Sequence, residues 1–457
     1  MLSYSRMRVD EEEGTATLTM GLAQRVTALE ELPPEIRERA RQSLLDWFGV
    51  TLGGCREDAP TALLAILPPA EPADPQSAGA VGHDARLSAL DAALLNGTSS
   101  HVLDFDDVNL AFLGHASVAA LAAVLALAEQ RDLPVAGVVT AYVAGYETAC
   151  RLAAAVGPEP YLRGFHATGT GGTFAAAAAC ARLLGLDARQ TAQALGIAAS
   201  QAAGLKCNFG TMTKSLHAGK ACQSGMLAAL LAARGFTADR DAIGAGQGFA
   251  AAFGGDIDAS AALGDGWHLR DNLFKHHASC FFTHSTIEGL LELKRSRPFA
   301  VEDVEEIEIH VSDVELGTCV IPEPATGLEV KFSLPHLAAM AILGRSTARI
   351  DDSDATDPEA VALRSRVVLT HDGEPGAATR VELRLGDGTR LSAAHDVNTP
   401  EADLDAQGAR LAEKFLVLSE PALGAERAGA LLLALADLDG DMPARELIRA
   451  AQPAQAR

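Results

Sequence analysis

Four separated segments gather side chains able to move protons or bind anions: HVLDFDDVNLAFLGH (101–115), GFHATGTGGT (164–173), TMTKSLHAGK (211–220) and KHHASCFFTH (275–284). Only seven lysines occur in 457 residues, and Lys206, Lys214, Lys220 and Lys275 lie in or beside these segments. Seven of the thirteen histidines lie there too: His101, His115, His166, His217, His276, His277 and His284. Scarce cations placed beside imidazoles point to a pocket for a small anionic substrate, with imidazole as general acid or base.

Each segment has a chemical and a structural reading. His101, Asp104 and Asp107 are spaced by three, which on a helix sets them along one face. A carboxylate beside an imidazole fixes its tautomer and raises its basicity. Alternatively Asp104, Asp106 and Asp107 cap backbone donors. The acids lack the DxDxDG spacing of a calcium loop. His166 falls at a loop–helix junction, ahead of glycines that either permit close helix packing or leave backbone N–H groups to hold a carboxylate. That run is neither a GxGxxG after a strand nor a GxxxxGK[ST] loop. Lys214, His217 and Lys220 repeat the spacing of three, and Lys214 is expected to clamp a carboxylate or to titrate low enough for base work. Lys275, His276 and His277 would form a second cationic wall, with Cys280 a small residue lining the pocket. In GYETACR, Glu147 and Arg151 read as a structural i,i+4 ion pair.

Composition narrows the partners. Acidic residues outnumber basic ones 60 to 37, a net charge of −23, and a field of that sign repels nucleic acid and anionic lipid surfaces. The seven cysteines contain no CxxC or CxxH pair, so neither a disulfide framework nor a zinc or iron–sulfur site is indicated, and a reducing cytoplasm is expected. The opening MLSYSRMRVDEEEGTA has no hydrophobic signal core. The apolar stretch near Ser117–Ala128 is too short to span a bilayer, which takes about 20 residues.

The elements that must position these groups are mostly helical from Ala16 to about Arg270. Pro33-Pro34 opens a helix in which Ile36, Ala40, Leu44, Leu45 and Phe48 recur at helical spacing until Gly53-Gly54. Residues 67–78 form a loop. Asp187 should cap a helix over Ala188–Ser200, and Gly235 should close one that begins near Lys220. The pattern changes near residue 300: Ile307, Ile309 and Val311 alternate with polar residues, as do Val381, Leu383 and Leu385 before the turn Gly386-Asp387-Gly388. Val367–Leu369 suggests a third strand. Helices return over Leu404–Val417 and Gly424–Leu435. The expected fold is mainly α: a large helical domain (16–270 plus 404–457), an inserted smaller α+β lid domain (271–403), and a disordered 1–15.

Several of these stretches resemble the MmgE/PrpD family, which includes 2-methylcitrate dehydratase, cis-aconitate decarboxylase and iminodisuccinate epimerase. The matching motifs are LPPEIRERARQSLLDWFGVTLGG, NGTSSHVLDFDDVN, GYETACRL, GFHATGTGGTFAAAAACARLLGLD, TKSLHAGKACQSG and EVKFSLPHLAAMAIL. The resemblance implies a homodimer with its active site in an interdomain cleft, needing no metal or organic cofactor. It implies catalytic roles for Asp104, His115, His166 and Lys214, and places Lys275 at the opening of the lid motif. His101, His277 and Cys280 are expected to help bind the substrate. Three departures separate the chain from decarboxylase-type members: Val108 in place of threonine, Cys280 in place of histidine, and no tyrosine after Tyr161. Together these lead to a dehydratase-type lyase acting on a small di- or tricarboxylate, with an amino- or imino-dicarboxylate epimerase, or a non-catalytic binding protein of the same fold, as alternatives.

Overall fold

A computed structural model describes residues 17–71, 74–374, 376–438 and 440–454. The expected disorder of 1–15 falls outside the described residues. Helices dominate, as the periodicity predicts. Pro34 starts the helix Pro34–Gly54, where a missing N–H costs nothing. The apolar stretch becomes the helix Ala116–Arg131, and the alanine run after His166 becomes Ala167–Leu183. Asp187 closes a capping box with Gln190 at the head of Ala188–Ala199.

The helix expected to start near Lys220 starts earlier and spans Met212–Ala232, capped by the Thr211 side chain. Gly235 ends it as expected: at φ +82°, its N–H meets Ala232 O at 3.0 Å and the Phe236 N–H meets Leu231 O at 3.1 Å, the paired bonds of a Schellman close. The early start matters for function, because it puts Lys214 inside the first helical turn. The segment 67–78 is less irregular than expected at its end, where Ser77–Gly79 forms a short strand with Arg86–Ser88.

Small residues bring helix backbones close together. A Cβ at Gly219 would stand 2.3 Å from Leu94 O, and one at Gly97 would stand 2.4 Å from the Cys222 sulfur. The helices Ala89–His101 and Met212–Ala232 cross at these two glycines, which sets the distance between His101 and Lys214.

The expected strands are present. Val304–Val311 pairs in parallel with Val367–His371 and antiparallel with Thr379–Leu385, which turns at Gly386-Asp387-Gly388 into Arg390–His395. The order is 367–371, 304–311, 379–385, 390–395, with the helices His284–Ser296 and Leu334–Leu343 packed against the sheet. Buried apolar side chains form one large cluster from Leu18 to Leu269 that also takes in Leu411–Ala451, and a second from Cys280 to Leu391. A two-residue antiparallel pairing, Val108–Asn109 with Asn272–Leu273, ties the segment after the DFDD acids to the one that leads into Lys275. It has no local sequence signal. Among the described residues, no helix is long and apolar enough to cross a membrane.

Candidate active site

The helix Ala89–His101 ends at His101, so the acids after it do not share a helical face with it. Residues 102–107 instead form a tight turn in which Asp104 takes a left-handed backbone, φ +53°. Aspartate tolerates that conformation better than most residues. The turn presents the Asp104 carboxylate to two ammonium groups: Lys214 Nζ at 2.9 Å from Oδ2 and Lys275 Nζ at 2.8 Å from Oδ1. Burial alone would raise the Asp104 pKa, but the two lysines outweigh it and hold the carboxyl well below its ordinary value.

Asp106, rather than Asp104, orients the imidazoles. Its Oδ2 lies 2.9 Å from His101 Nδ1 and 3.1 Å from His115 Nδ1. His115 Nδ1 is also 2.9 Å from the Asp107 carbonyl. A carbonyl only accepts, so Nδ1 carries a proton and Nε2 is the ring nitrogen left to exchange one. That Nε2 lies 3.7 Å from Asp104 Oδ1. His166 stands at the head of its helix as expected; its Nδ1 is 3.1 Å from His217 Nδ1 and its ring stacks on His101 at 5.6 Å. Burial, joined by the Lys214 charge, holds His166 well below its ordinary pKa, and burial pushes His101 down to about 4. Both rings are neutral at pH 7.

Asp104, His115, His166, Lys214 and Cys280 line one small chamber of about 40 Å³, together with Val108, Tyr161, Phe209 and Phe332. Lys214 Nζ lies 5.3 Å and 4.8 Å from the Phe209 and Phe332 ring centroids, within range for cation–π attraction. Tyr161, Phe209 and Phe332 carried no signal of their own in the sequence.

Three expected binding residues are placed differently. His101 lies behind the chamber as a partner of Asp106 and lines a smaller neighbouring pocket. Lys275 is fully buried, and its three protons go to Asp104 Oδ1, Asp104 O and Ser279 O, which leaves none for a substrate. His277 turns away to Thr347 Oγ1 at 2.7 Å and Glu288 Oε1 at 3.2 Å. The expected second cationic wall therefore does not form. His276 is pushed down to about 3 by burial and then by Arg410 and Lys414, so it carries no charge at neutral pH. Lys220 is exposed and bonds Gln223. The Glu147–Arg151 pair forms at 3.4 Å.

Two other lysines complete the turn. Lys331 Nζ donates to Val102 O and Leu103 O at 3.3 Å and 3.0 Å. Lys414 Nζ donates to Phe105 O at 2.7 Å and to Asp46 Oδ1 at 2.6 Å. With Lys275 on Asp104 O, four successive carbonyls from Val102 to Phe105 are each held by an ammonium. Lysine rarity, applied to all seven, is the signal that finds Lys331 and Lys414. The ligand atoms of His101, Asp104, Asp106 and His115 lie within 4.8 Å of one another. A metal ion there would have to displace Lys214 and Lys275 from Asp104 and separate both imidazoles from Asp106.

The sequence matches the MmgE/PrpD N-terminal domain over residues 22–261 and the MmgE/PrpD C-terminal domain over residues 277–439. The chain belongs to the MmgE/PrpD family. It is 26% identical over 400 residues to a cis-aconitate decarboxylase of Aspergillus terreus (strain NIH 2624 / FGSC A1156), covering 80% of this chain and 81% of that protein. It is 28% identical over 424 residues to a cis-aconitate decarboxylase-like protein of Aspergillus oryzae, covering 84% and 86%. The cis-aconitate decarboxylase of Mus musculus is 28% identical over 335 residues, 68% of each chain. Of the positions matched to MmgE/PrpD motifs, Asp104, His115, His166 and Lys214 converge on the chamber, while Lys275 supports Asp104 from behind.

Proposed function

We propose that this MmgE/PrpD protein is a lyase that acts on a small di- or tricarboxylate by removing a proton α to a carboxylate. The observation that carries this reading is the Asp107 carbonyl on His115 Nδ1, which leaves Nε2 free to accept a proton inside the chamber. Asp104 Oδ1 at 3.7 Å stabilises the imidazolium that forms. Lys214 is the chamber's ammonium; it binds a substrate carboxylate and offsets the charge that develops on it as the proton leaves. The proton that His115 takes up is the one returned to a leaving hydroxyl, which departs as water. His166, held neutral by burial, faces the same space and positions that hydroxyl by hydrogen bonding.

Dehydration is the leading version. Val108 and Cys280, two of the departures from decarboxylase-type members, both line the chamber, so the difference falls where the reacting carbons would lie. Decarboxylation is the second reading, favoured by the names of the relatives. Incubation in heavy water with citrate, 2-methylcitrate and cis-aconitate, followed by NMR, separates the outcomes. A new alkene without loss of carbon means dehydration, and loss of carbon dioxide means decarboxylation. Deuterium wash-in with neither means proton removal and return alone, the chemistry of the epimerase alternative. His115→Gln should lower proton exchange and turnover by at least about 100-fold; retention of full exchange would remove His115 from the base role.

A further inference from the structure

A second cavity, larger than the chamber, adjoins it. It measures about 370 Å³, within the roughly 300–1,000 Å³ of small-molecule sites. It is built from the end of the helix Val135–Val156, the Gly157–Tyr161 stretch, the head of the Ala167–Leu183 helix and Phe249. None of its lining side chains is charged. Thr170 is satisfied by its own helix at His166 O, 3.3 Å, so nothing there calls for a charged or strongly polar guest. Leu110, Leu113 and Tyr161 line both spaces. Leu113 is held at φ +54°, an unfavourable backbone for leucine, usually costing about 1–2 kcal/mol, at the boundary between the two.

The sizes divide the work. About 40 Å³ beside Asp104, His115, His166 and Lys214 is room for a few waters or a carboxylate-bearing head. It cannot take a hydrocarbon chain. The larger space can, and an apolar lining left without contacts gains from a chain that fills it. We propose that the substrate is a di- or tricarboxylate bearing an unbranched alkyl substituent of several carbons, its polar head in the chamber and its tail in this cavity past Leu110, Leu113 and Tyr161. The inference rests on the carboxylate-lyase reading above and adds the tail.

The test is a chain-length series of 2-alkylcitrates and the matching alkyl-substituted cis-aconitates, from unsubstituted to hexyl, with turnover followed by NMR. From methyl to butyl, kcat/KM should rise about fourfold per methylene, the gain expected from burying each one. In Ala153→Leu, which narrows the cavity from the Val135–Val156 helix, the hexyl-to-methyl ratio of kcat/KM should fall at least about fivefold. A flat or falling series in the wild type, with the short acids turned over, overturns the tail site and leaves the lyase reading standing. Absence of turnover for every member of both series, the unsubstituted acids included, overturns the lyase reading itself.

Discussion

Asp104 is bound to Lys214 and Lys275 on separate oxygens, and it lies inside the protein with them. Removing one member of such a buried set is severe, because the remaining charges lose their partner without regaining water. Asp104→Asn retains the shape, and asparagine tolerates the left-handed backbone at this position, so the change isolates charge. We expect about 3–5 kcal/mol less stability in denaturant unfolding and at least about 100-fold lower kcat. The double variant Asp104→Asn/Lys275→Met should recover most of the stability and none of the activity. Recovery of activity along with stability would reduce Asp104 to a purely structural acid. Lys214→Ala, by contrast, removes a group that faces the chamber, and it should abolish turnover while leaving a folded protein.

The turn from Val102 to Asp107 is the element on which the site depends. Burial pushes Lys331 down to about 8, so its ammonium holds Val102 O and Leu103 O at pH 7 and is lost above pH 8. kcat/KM should therefore fall above about pH 8 in the wild type. Lys331→Met should show the lower value at every pH. Unfolding through this group does not explain such a fall. Its folded pKa lies below the unfolded 10.5, so its contribution to stability grows as pH rises from about 8 to 10.5. A melting temperature that holds or rises while activity drops separates the two causes. The turn also marks the limit of what could be read from the chain alone. Helices, the Asp187 cap, the Gly235 close and the alternating strands were legible because their signals are local. The motif resemblance located Asp104, His115, His166 and Lys214. The spacing of three from His101 to Asp107 pointed to a helix that the structure replaces with a turn whose carbonyls are held by lysines 171 or more residues away. Lys275 and His277 look alike in sequence, and only the pairing of Val108–Asn109 with Asn272–Leu273 and the company of Thr347 and Glu288 separates their roles.

At the scale of the whole molecule, the site is drawn from several parts of the core. Lys214 lies on the helix Met212–Ala232, which packs in the first apolar cluster, and Cys280 and Phe332 belong to the second. Val102, Leu103 and Phe105 of the turn form a small cluster of their own with Val50 and Ala278. The cations they assemble are few against a formal charge of −23. An anionic substrate approaches against that net field and meets attraction only close to Lys214. Salt shortens the reach of surface charge to about 10 Å at 0.1 M and about 30 Å at 0.01 M. It therefore screens the distant repulsion more than the buried ion pairs at the site. Raising ionic strength from 10 to 200 mM should then increase kcat/KM for a tricarboxylate several-fold, with kcat little changed, and should matter less for a monocarboxylate inhibitor's binding. Initial rates at fixed pH in sodium chloride would measure this. A fall in kcat/KM with salt would mean that the few lysines around the turn dominate the potential at the mouth despite the acidic surface. In that case Lys206, lying 3.6 Å over the Tyr161 ring, is the first cation to neutralise, because Tyr161 stands at the boundary between chamber and tail cavity.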